Sequence, residues 1–529
     1  MPKFVPLGNE ALAQGALDAG LSGMYAYPGT PSTEIMEYIQ RAPEAAERNV
    51  HRRWSANEKT ALEAALGMSY AGKRALVGMK SVGLNVAADP FMNAAITGVN
   101  GGLLVAVADD PSMHSSQNEQ DSRFFGRFAL IPTIEPANQQ EAYDLAAYAF
   151  KLSERHAVPV LVRITTRLAH SRADITRGEA LPEKALTLPQ HPQQFVLLPA
   201  ISRRNYARLL DKQREFEAES EASFLNRYED GPDKRRGILA CGIAYNYLME
   251  HYPDGCPHPV LKIGQYPLPT RLVARLVEAC DEILVLEEGA PLVEEMLRGY
   301  PFEAGTVHGR LDGCLPRAGE LNPVLVARAL GLDVAEPAFT APEIVVGRPP
   351  QLCNGCPHGD TFRALNEALE QYSKGRVFAD IGCYTLGALP PYNAINSCVD
   401  MGASVTMAKG AADAGLVPAV AVIGDSTFSH SGMTGLLDAV NANAPITVII
   451  VDNETTAMTG GQETPGNGRF EQIAQGLGVA AEHVRVITPL PRQHAQNVQV
   501  IQEELEYDGV SVVIARRECV ETARRKRRS

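Results

Sequence analysis

Two short apolar runs with a helical pattern between them are the clearest element of this sequence. The runs cover residues 418–423 and 446–451, and the second is rich in β-branched residues, as buried parallel strands are. Residues 433–441 carry apolar side chains at helical spacing. The stretch therefore predicts a βαβ unit with a right-handed crossover.

Polar groups follow each of these predicted strands. Gly424, Asp425 and Ser426 close the first run, and Asn453 and Thr455 follow the second. Ligands of open α/β sheets bind beyond the carboxyl ends of the strands. Carboxylate and amide oxygens suit a Mg²⁺ ion that is also bound by phosphate oxygens, and a helix N-terminus favours the phosphate. The pattern predicts a magnesium–diphosphate site.

Similar alternation along the chain predicts an α/β fold with three domains. The boundaries are residues 1–195 for the first domain, 237–335 for the second and 340–520 for the third. Residues 196–236 are rich in charge and predict a solvated helical linker. Residues 521–529 form a basic tail.

Composition narrows the class of protein. A chain of 529 residues with 45% hydrophobic and 21% charged residues is typical of a multidomain enzyme. The net charge of −13 argues against nucleic acid as a partner. No apolar run approaches the roughly 20 residues of a membrane span. The nine cysteines are scattered and odd in number, which favours a reducing compartment, and we expect a cytoplasmic protein.

The sequence motifs around the predicted site resemble those of a known family. GDS, about 25 residues and then DN-x-T looks like the thiamine diphosphate motif, and GDSTFSHSG with NETTAMTGGQ is similar to large subunits of the 2-oxoacid:ferredoxin oxidoreductase family, of the indolepyruvate type. The resemblance implies that Asp425, Asn453 and the Thr455 carbonyl hold Mg²⁺ on the cofactor's diphosphate. It also implies that the three domains are pyrimidine-binding, transketolase C-terminal-like and diphosphate-binding.

Two stretches of the first domain share this resemblance. WSANEKTALEAALG is similar to the family's pyrimidine-binding segment, in which Glu58 would hydrogen-bond the aminopyrimidine and promote its imino tautomer. A local alternative is that Ser55 and Glu58 form a capping box. YPGTPS resembles the substrate-side loop, which would turn Thr30 toward the reacting centre, although Ser32 or Thr33 could simply cap the next helix.

A long polar loop after residues 109–111 supplies further candidates. We expect His114, and also Gln117, to contact substrate, with a solvated side chain as the alternative. Arg123 or Arg127 could bind a substrate carboxylate in a bidentate pair, but a surface role is expected for both.

The start of the third domain resembles the segments that line the cofactor. The residues expected there are Cys356, His358, Gly382, Cys383 and Gly402. From local sequence, Cys353 and Cys356 could also be half of a zinc site or a redox pair, and the glycines could be ordinary turn residues. Gly359 occupies the position at which the family usually has arginine, which leaves one contact with phosphate or substrate in question.

Relatives carry two [4Fe–4S] clusters in a C-terminal module with the run C-x₂-C-x₂-C-x₃-C-P, and that run does not occur here. We therefore expect iron–sulfur clusters only on a partner chain. The expected partners are a 2-oxo acid, CoA, a β/γ-type subunit and a ferredoxin-like protein, in a homodimer or heterotetramer. The basic tail is either disordered or docks an acidic partner.

The resemblance implies oxidative decarboxylation of a 2-oxo acid to an acyl-CoA. Met458 would suit an arylpyruvate such as indolepyruvate, because a soft thioether packs well against a large apolar group. A non-oxidative decarboxylase that releases an aldehyde is the first alternative. A cofactor-free structural subunit is the second.

Overall fold

The computed structural model describes residues 4–299, 307–334, 344–345, 351–398 and 400–527. It divides into two compact units, Met1–Thr340 and Ala341–Ser529. The sequence boundaries at 335 and 340 lie outside the described residues, as do the last two residues of the predicted basic tail.

The first unit alternates helices with short, mostly parallel strands. Its strands are β1 Gly23–Ala26, β2 His51–Trp54, β3 Ala75–Lys80, β4 Leu103–Asp109, β5 Thr133–Ile134, β6 Val160–Thr165, β7 Arg227–Glu229, β8 Arg236–Cys241, β9 Val260–Ile263, β10 Gln265–Tyr266, β11 Glu282–Leu286 and β12 Val307–His308. Its helices are α1 Gly8–Asp18, α2 Thr33–Arg41, α3 Pro43–Glu47, α4 Glu58–Tyr70, α5 Ser81–Val86, α6 Ala88–Thr97, α7 Arg123–Ala129, α8 Gln139–His156, α9 Thr166–His170, α10 Pro199–Asp211, α11 Gln213–Glu221, α12 Ala244–Met249, α13 Thr270–Ala279, α14 Leu292–Arg298 and α15 Pro323–Ala329.

Two sheets organise the described part of this unit. The larger has the order β10-β5-β6-β4-β3-β1-β2 and is parallel except for β10. The smaller has the order β12-β11-β8-β9-β7 and is parallel except for β7. The central strand β4 is buried along its whole length, which is why it reads as an unbroken apolar run. Because β10 follows β9 of the smaller sheet, its pairing with β5 joins the two sheets.

The second unit contains the βαβ stretch that dominates the sequence. Its strands are β13 Val377–Ala379, β14 Ser397–Cys398, β15 Ala419–Gly424, β16 Ile446–Asp452, β17 Val484–Ile487 and β18 Ser511–Arg516. Its helices are α16 Pro357–Ala368, α17 Ala403–Asp413, α18 Asp425–Thr427, α19 Met433–Asn441, α20 Phe470–Gly476, α21 His494–Leu505 and α22 Val520–Lys526.

These six strands form one parallel sheet in the described residues, with the order β14-β13-β15-β16-β18-β17. Strands β15 and β16 are neighbours, with Gly424 paired to Val451. Their carboxyl ends therefore lie side by side, and a turn of π-helix, Phe428–Gly432, joins α18 to α19. The α/β fold class and this βαβ unit are confirmed.

Two charged segments are more ordered than their composition alone indicates. The linker is helical, but α10 and α11 are not simply solvated, because Leu209 and Phe216 are buried in a core beneath the larger sheet. The described part of the basic tail is not disordered, because it lies in α22. Among the described helices, none is both long and apolar enough to cross a bilayer.

Candidate active site

Asp425 and Asn453 come together at the carboxyl ends of β15 and β16. Both side chains are nearly buried, with 4% and 6% exposure. The backbone N–H of Thr455 donates to Asp425 Oδ2 at 3.0 Å and lies 3.4 Å from Asn453 Oδ1. A carboxylate oxygen and an amide oxygen thus converge on one point, as the two strand ends in the sequence predict.

The electrostatics of this point favour a bound cation. Burial, and then the neighbouring Asp452, raise the pKa of Asp425 to about 7. Asp452 is itself paired with Arg516, whose Nε donates to its Oδ2 at 2.7 Å. A cation beside Asp425 would supply the missing countercharge. The described residues hold no group of three His, Cys, Asp or Glu side chains placed to bind a metal, and one carboxylate with amide and carbonyl oxygens suits Mg²⁺ bound mainly through phosphate.

Small residues lie at the same sheet edge. A Cβ atom at Gly382 or Gly424 would lie 2.4 or 2.6 Å from the ring of Tyr384, so both positions need glycine. Gly402 begins α17 with a φ of 102°, and its N–H donates to Asp380 Oδ1 at 3.0 Å. Ser426 Oγ accepts from Thr456 Oγ1 at 3.0 Å. The described chain therefore brings these candidates to the same sheet edge as Asp425.

His358 lies in the first turn of α16 and contacts Asn453. Its Nε2 is 3.2 Å from Asn453 Nδ2, and only 2% of the residue is exposed. Burial, and then the nearby Arg517, lower the pKa of His358 to about 4, so the imidazole is neutral. A Cβ atom at Gly359 would lie 2.4 Å from the Tyr392 hydroxyl, so a larger residue there would require the Tyr392 side chain to move. Arg517, which affects the pKa of His358, is itself paired with Asp360, with Nη1 2.8 Å from Asp360 Oδ2.

In the first unit, Glu58 is a buried acid at the start of α4. It is 4% exposed. The capping-box alternative was wrong, because Asn57 is the cap and its side chain accepts from the Thr60 N–H at 2.8 Å. Gly83 leaves space for the carboxylate, since a Cβ there would lie 2.5 Å from Glu58 Oε1. Helix capping therefore does not explain this acid.

Thr30 lies in a loop at the carboxyl end of β1. Its carbonyl accepts from Ser115 Oγ at 3.0 Å, and Ser32 Oγ bonds back to the Gly29 carbonyl at 2.7 Å rather than capping α2. Lys80, at the end of β3, donates to the Ser115 carbonyl at 3.1 Å. Burial lowers the pKa of Lys80, although Asp110 and Glu58 oppose that shift. Lys80 was missed from the sequence, where a lysine ending the apolar run ALVGM was the available signal.

The loop candidates differ in their surroundings. His114 is exposed, and its Nε2 lies 3.4 Å from Glu320 Oε2. Gln117 and Arg127 are also exposed. The surface role expected for Arg123 was wrong, because Arg123 is 1% exposed. Its Nη2 donates to Asp121 at 2.6 Å and its Nη1 to Glu287 at 2.9 Å, so it is bound to internal acids.

Two family models match the chain. Residues 380–515 match "Thiamine pyrophosphate enzyme, C-terminal TPP binding domain", and residues 14–204 match "Pyruvate flavodoxin/ferredoxin oxidoreductase, thiamine diP-bdg". Indolepyruvate oxidoreductase subunit IorA of Archaeoglobus fulgidus is 40% identical over 99% of this chain and 88% of that protein. The IorA subunit of Pyrococcus abyssi is 38% identical over 97% of this chain and 85% of that protein. The chain belongs to the IorA family.

A solved structure of 2-oxoglutarate:ferredoxin oxidoreductase from Magnetococcus marinus has the same fold. It matches this IorA-family chain with a TM-score of 0.50 at 16% identity, over 62% of this chain and 65% of that chain. At that identity the match shows a shared fold alone.

One feature of this IorA-family chain was not predicted from its sequence. Burial raises the pKa of the Cys383 thiol to about 12, and the neighbouring thiols of Cys356, Cys519 and Cys353 add to that rise. Burial also raises the pKa of Cys356, with Cys353 and Cys519 again contributing. All four cysteines are free of disulfide bonds. The thiols of Cys353, Cys356 and Cys519 are thus near enough to influence the Cys383 thiol, although the described residues hold no group of three His, Cys, Asp or Glu side chains placed to bind a metal.

Proposed function

We propose that this chain is the thiamine-diphosphate-binding subunit of an oxidoreductase that decarboxylates a 2-oxo acid, with arylpyruvates such as indolepyruvate as substrates. The observation that carries the proposal is the convergence of Asp425 and Asn453 oxygens on Thr455 at adjacent strand ends. Its membership of the IorA family supports the same reaction. When bound, thiamine diphosphate supplies the carbanion and the electron sink for loss of CO₂.

Residues of the second unit would hold the cofactor's diphosphate. Asp425 and Asn453 would bind Mg²⁺ through their side-chain oxygens and Thr455 through its carbonyl. The donor set fits, because Asp425 is buried without a cation against it in the hydrogen bonds and ion pairs of the described residues.

Residues of the first unit would act on the pyrimidine and substrate. Glu58 would share a proton with a ring nitrogen of the pyrimidine, for which its burial suits it. Thr30 and His114 stand as the candidates for substrate contact. Lys80 is a further candidate, since its ammonium group donates to the carbonyl of Ser115 and the charges of Asp110 and Glu58 oppose the lowering of its pKa by burial.

The overall reaction requires an outlet for electrons. One 2-oxo acid and one CoA thiol give one acyl-CoA, one CO₂, one proton and two electrons, so we propose a partner subunit and a ferredoxin-like acceptor whose iron–sulfur clusters carry the electrons away singly. A cytoplasmic location suits the nine free cysteines.

Calorimetric binding of thiamine diphosphate with Mg²⁺ tests the proposed cofactor. We expect Asp425→Asn to abolish binding. The matched control is Asp438→Asn, an exposed acid of the same unit whose side chain is 65% accessible, and we expect it to bind as the unaltered chain does. Equal binding by all three proteins would contradict the proposal.

A further inference from the structure

The two ends of the Asn453 amide group face different partners. One end lies 3.2 Å from His358 Nε2, and the other lies 3.4 Å from the backbone nitrogen of Thr455. Only the oxygen end of an amide can bind a cation. The orientation of this group therefore decides whether Asn453 can serve as a metal ligand.

The surrounding hydrogen bonds fix that orientation. The Thr455 backbone nitrogen can only donate, so the amide atom that faces it is Oδ1. The same N–H donates to Asp425 Oδ2 at 3.0 Å, which places the two oxygens on one side. The NH₂ end then faces His358 and also can only donate. His358 Nε2 must accept, and its ring proton must reside on Nδ1.

Packing holds the imidazole in place. His358 is 2% exposed, and its ring meets the ring of Tyr384 edge-on, with centroids 6.1 Å apart and planes at 79°. Tyr384 in turn lies directly against Gly382 and Gly424. The acceptor nitrogen thus has little freedom to leave the Asn453 amide.

We propose that His358 is a positioning residue whose unprotonated Nε2 binds the Asn453 NH₂ group and so presents the amide oxygen beside the Asp425 carboxylate. This inference rests on the proposed function, in which that oxygen binds Mg²⁺. His358 acts through Asn453 and needs no contact of its own with the cofactor. A side chain of similar shape without an acceptor would leave the amide free to turn its NH₂ group toward the cation.

A double-mutant cycle separates positioning from simple packing. The probe is Mg²⁺ titrated with thiamine diphosphate into the full chain, with circular dichroism as the check on folding. His358→Phe should weaken Mg²⁺ binding at least about tenfold, as loss of a group that orients a metal ligand does. His358→Gln can accept a hydrogen bond through its Oε1 and should recover part of the lost Mg²⁺ affinity. It also replaces His358→Phe in the test if that variant fails to fold.

The second background is Asn453→Asp. A carboxylate has two oxygens and needs no orientation, so His358→Phe should there cost no more than about twofold in Mg²⁺ affinity. An equal loss in the unaltered chain and in the Asn453→Asp background would overturn the inference.

The tautomer of His358 gives a readout that does not depend on the cofactor. ¹⁵N resonances of the cofactor-free chain, assigned by their loss in His358→Gln, should show the proton on Nδ1. A proton on Nε2 would overturn the inference. If the chain shows the expected tautomer but does not bind Mg²⁺ and thiamine diphosphate, the tautomer supports the amide orientation and the failed binding contradicts the proposed function.

Discussion

Binding of Mg²⁺ with thiamine diphosphate should weaken sharply as the pH falls from 8 to 6. Burial, and then Asp452, raise the pKa of Asp425 to about 7. Only the ionised carboxylate binds the cation. At pH 6 about one tenth of the sites are ionised, so affinity should be about tenfold below its plateau at pH 8. If Asp425 had an ordinary carboxyl pKa, its ionisation would leave the Mg²⁺ affinity unchanged between pH 6 and pH 8.

Isothermal titration calorimetry in buffers of different ionisation enthalpy measures the linked protons. Binding should release about 0.9 proton per site from Asp425 at pH 6 and about 0.1 at pH 8. Protons released when Mg²⁺ meets thiamine diphosphate in free solution are measured separately and subtracted. Asp452→Asn should move the midpoint to lower pH, because Asp452 contributes to the raised pKa. Flat affinity and no proton release at pH 6 would refute the reasoning.

The same shift has a consequence for the cofactor-free chain. Asp425 in the folded state binds its proton more tightly than in the unfolded state, so between pH 4 and 7 the folded state holds more protons and its free energy of unfolding falls as the pH rises. The shift of this pKa from 3.8 to about 7 destabilises the folded state by at most about 4 kcal/mol. The destabilisation is present in full above pH 7. Bound Mg²⁺ should remove most of this destabilisation.

Three substitutions test other parts of the structure. Glu58→Gln should lower turnover about 10²–10⁴-fold and should keep the helix start, because Asn57 is the cap. An unaltered rate would remove Glu58 from the mechanism. Phe216→Ala should lower the free energy of unfolding, measured by chemical denaturation, by about 3–5 kcal/mol, because Phe216 is fully buried. The control Arg214→Ala changes an exposed residue and should leave that free energy unchanged. Equal effects of the two substitutions would place Phe216 outside the core. Met458→Asn should shift kcat/KM from phenylpyruvate toward pyruvate about tenfold, and an unchanged ratio would exclude Met458 from substrate choice.

The sequence predicted well what local pattern determines. The apolar runs at β15 and β16 and the helical spacing of α19 were enough to place Asp425 and Asn453 at adjacent strand ends. Buried parallel strands require such runs, and their connection leaves little choice of topology.

Other features depend on contacts between distant residues. Phe216 lies in a charged stretch, and its burial depends on the core that α11 packs against. Arg123 was predicted to be a surface residue because its partner Glu287 is distant in the sequence and follows β11 of the smaller sheet. Cys383 and Cys519 are brought together only by the fold. The spacing of residues along the chain does not predict contacts of this kind.

The central claim is tested most directly by turnover of an arylpyruvate. The chain is combined with its partner subunits, Mg²⁺, thiamine diphosphate, CoA and an oxidised viologen, and the products from phenylpyruvate or indolepyruvate are measured. We expect acyl-CoA that forms together with one CO₂ and two reduced viologens, strictly dependent on CoA and absent with Asp425→Asn. Release of an aldehyde without viologen reduction, or turnover that survives Asp425→Asn, would contradict the account.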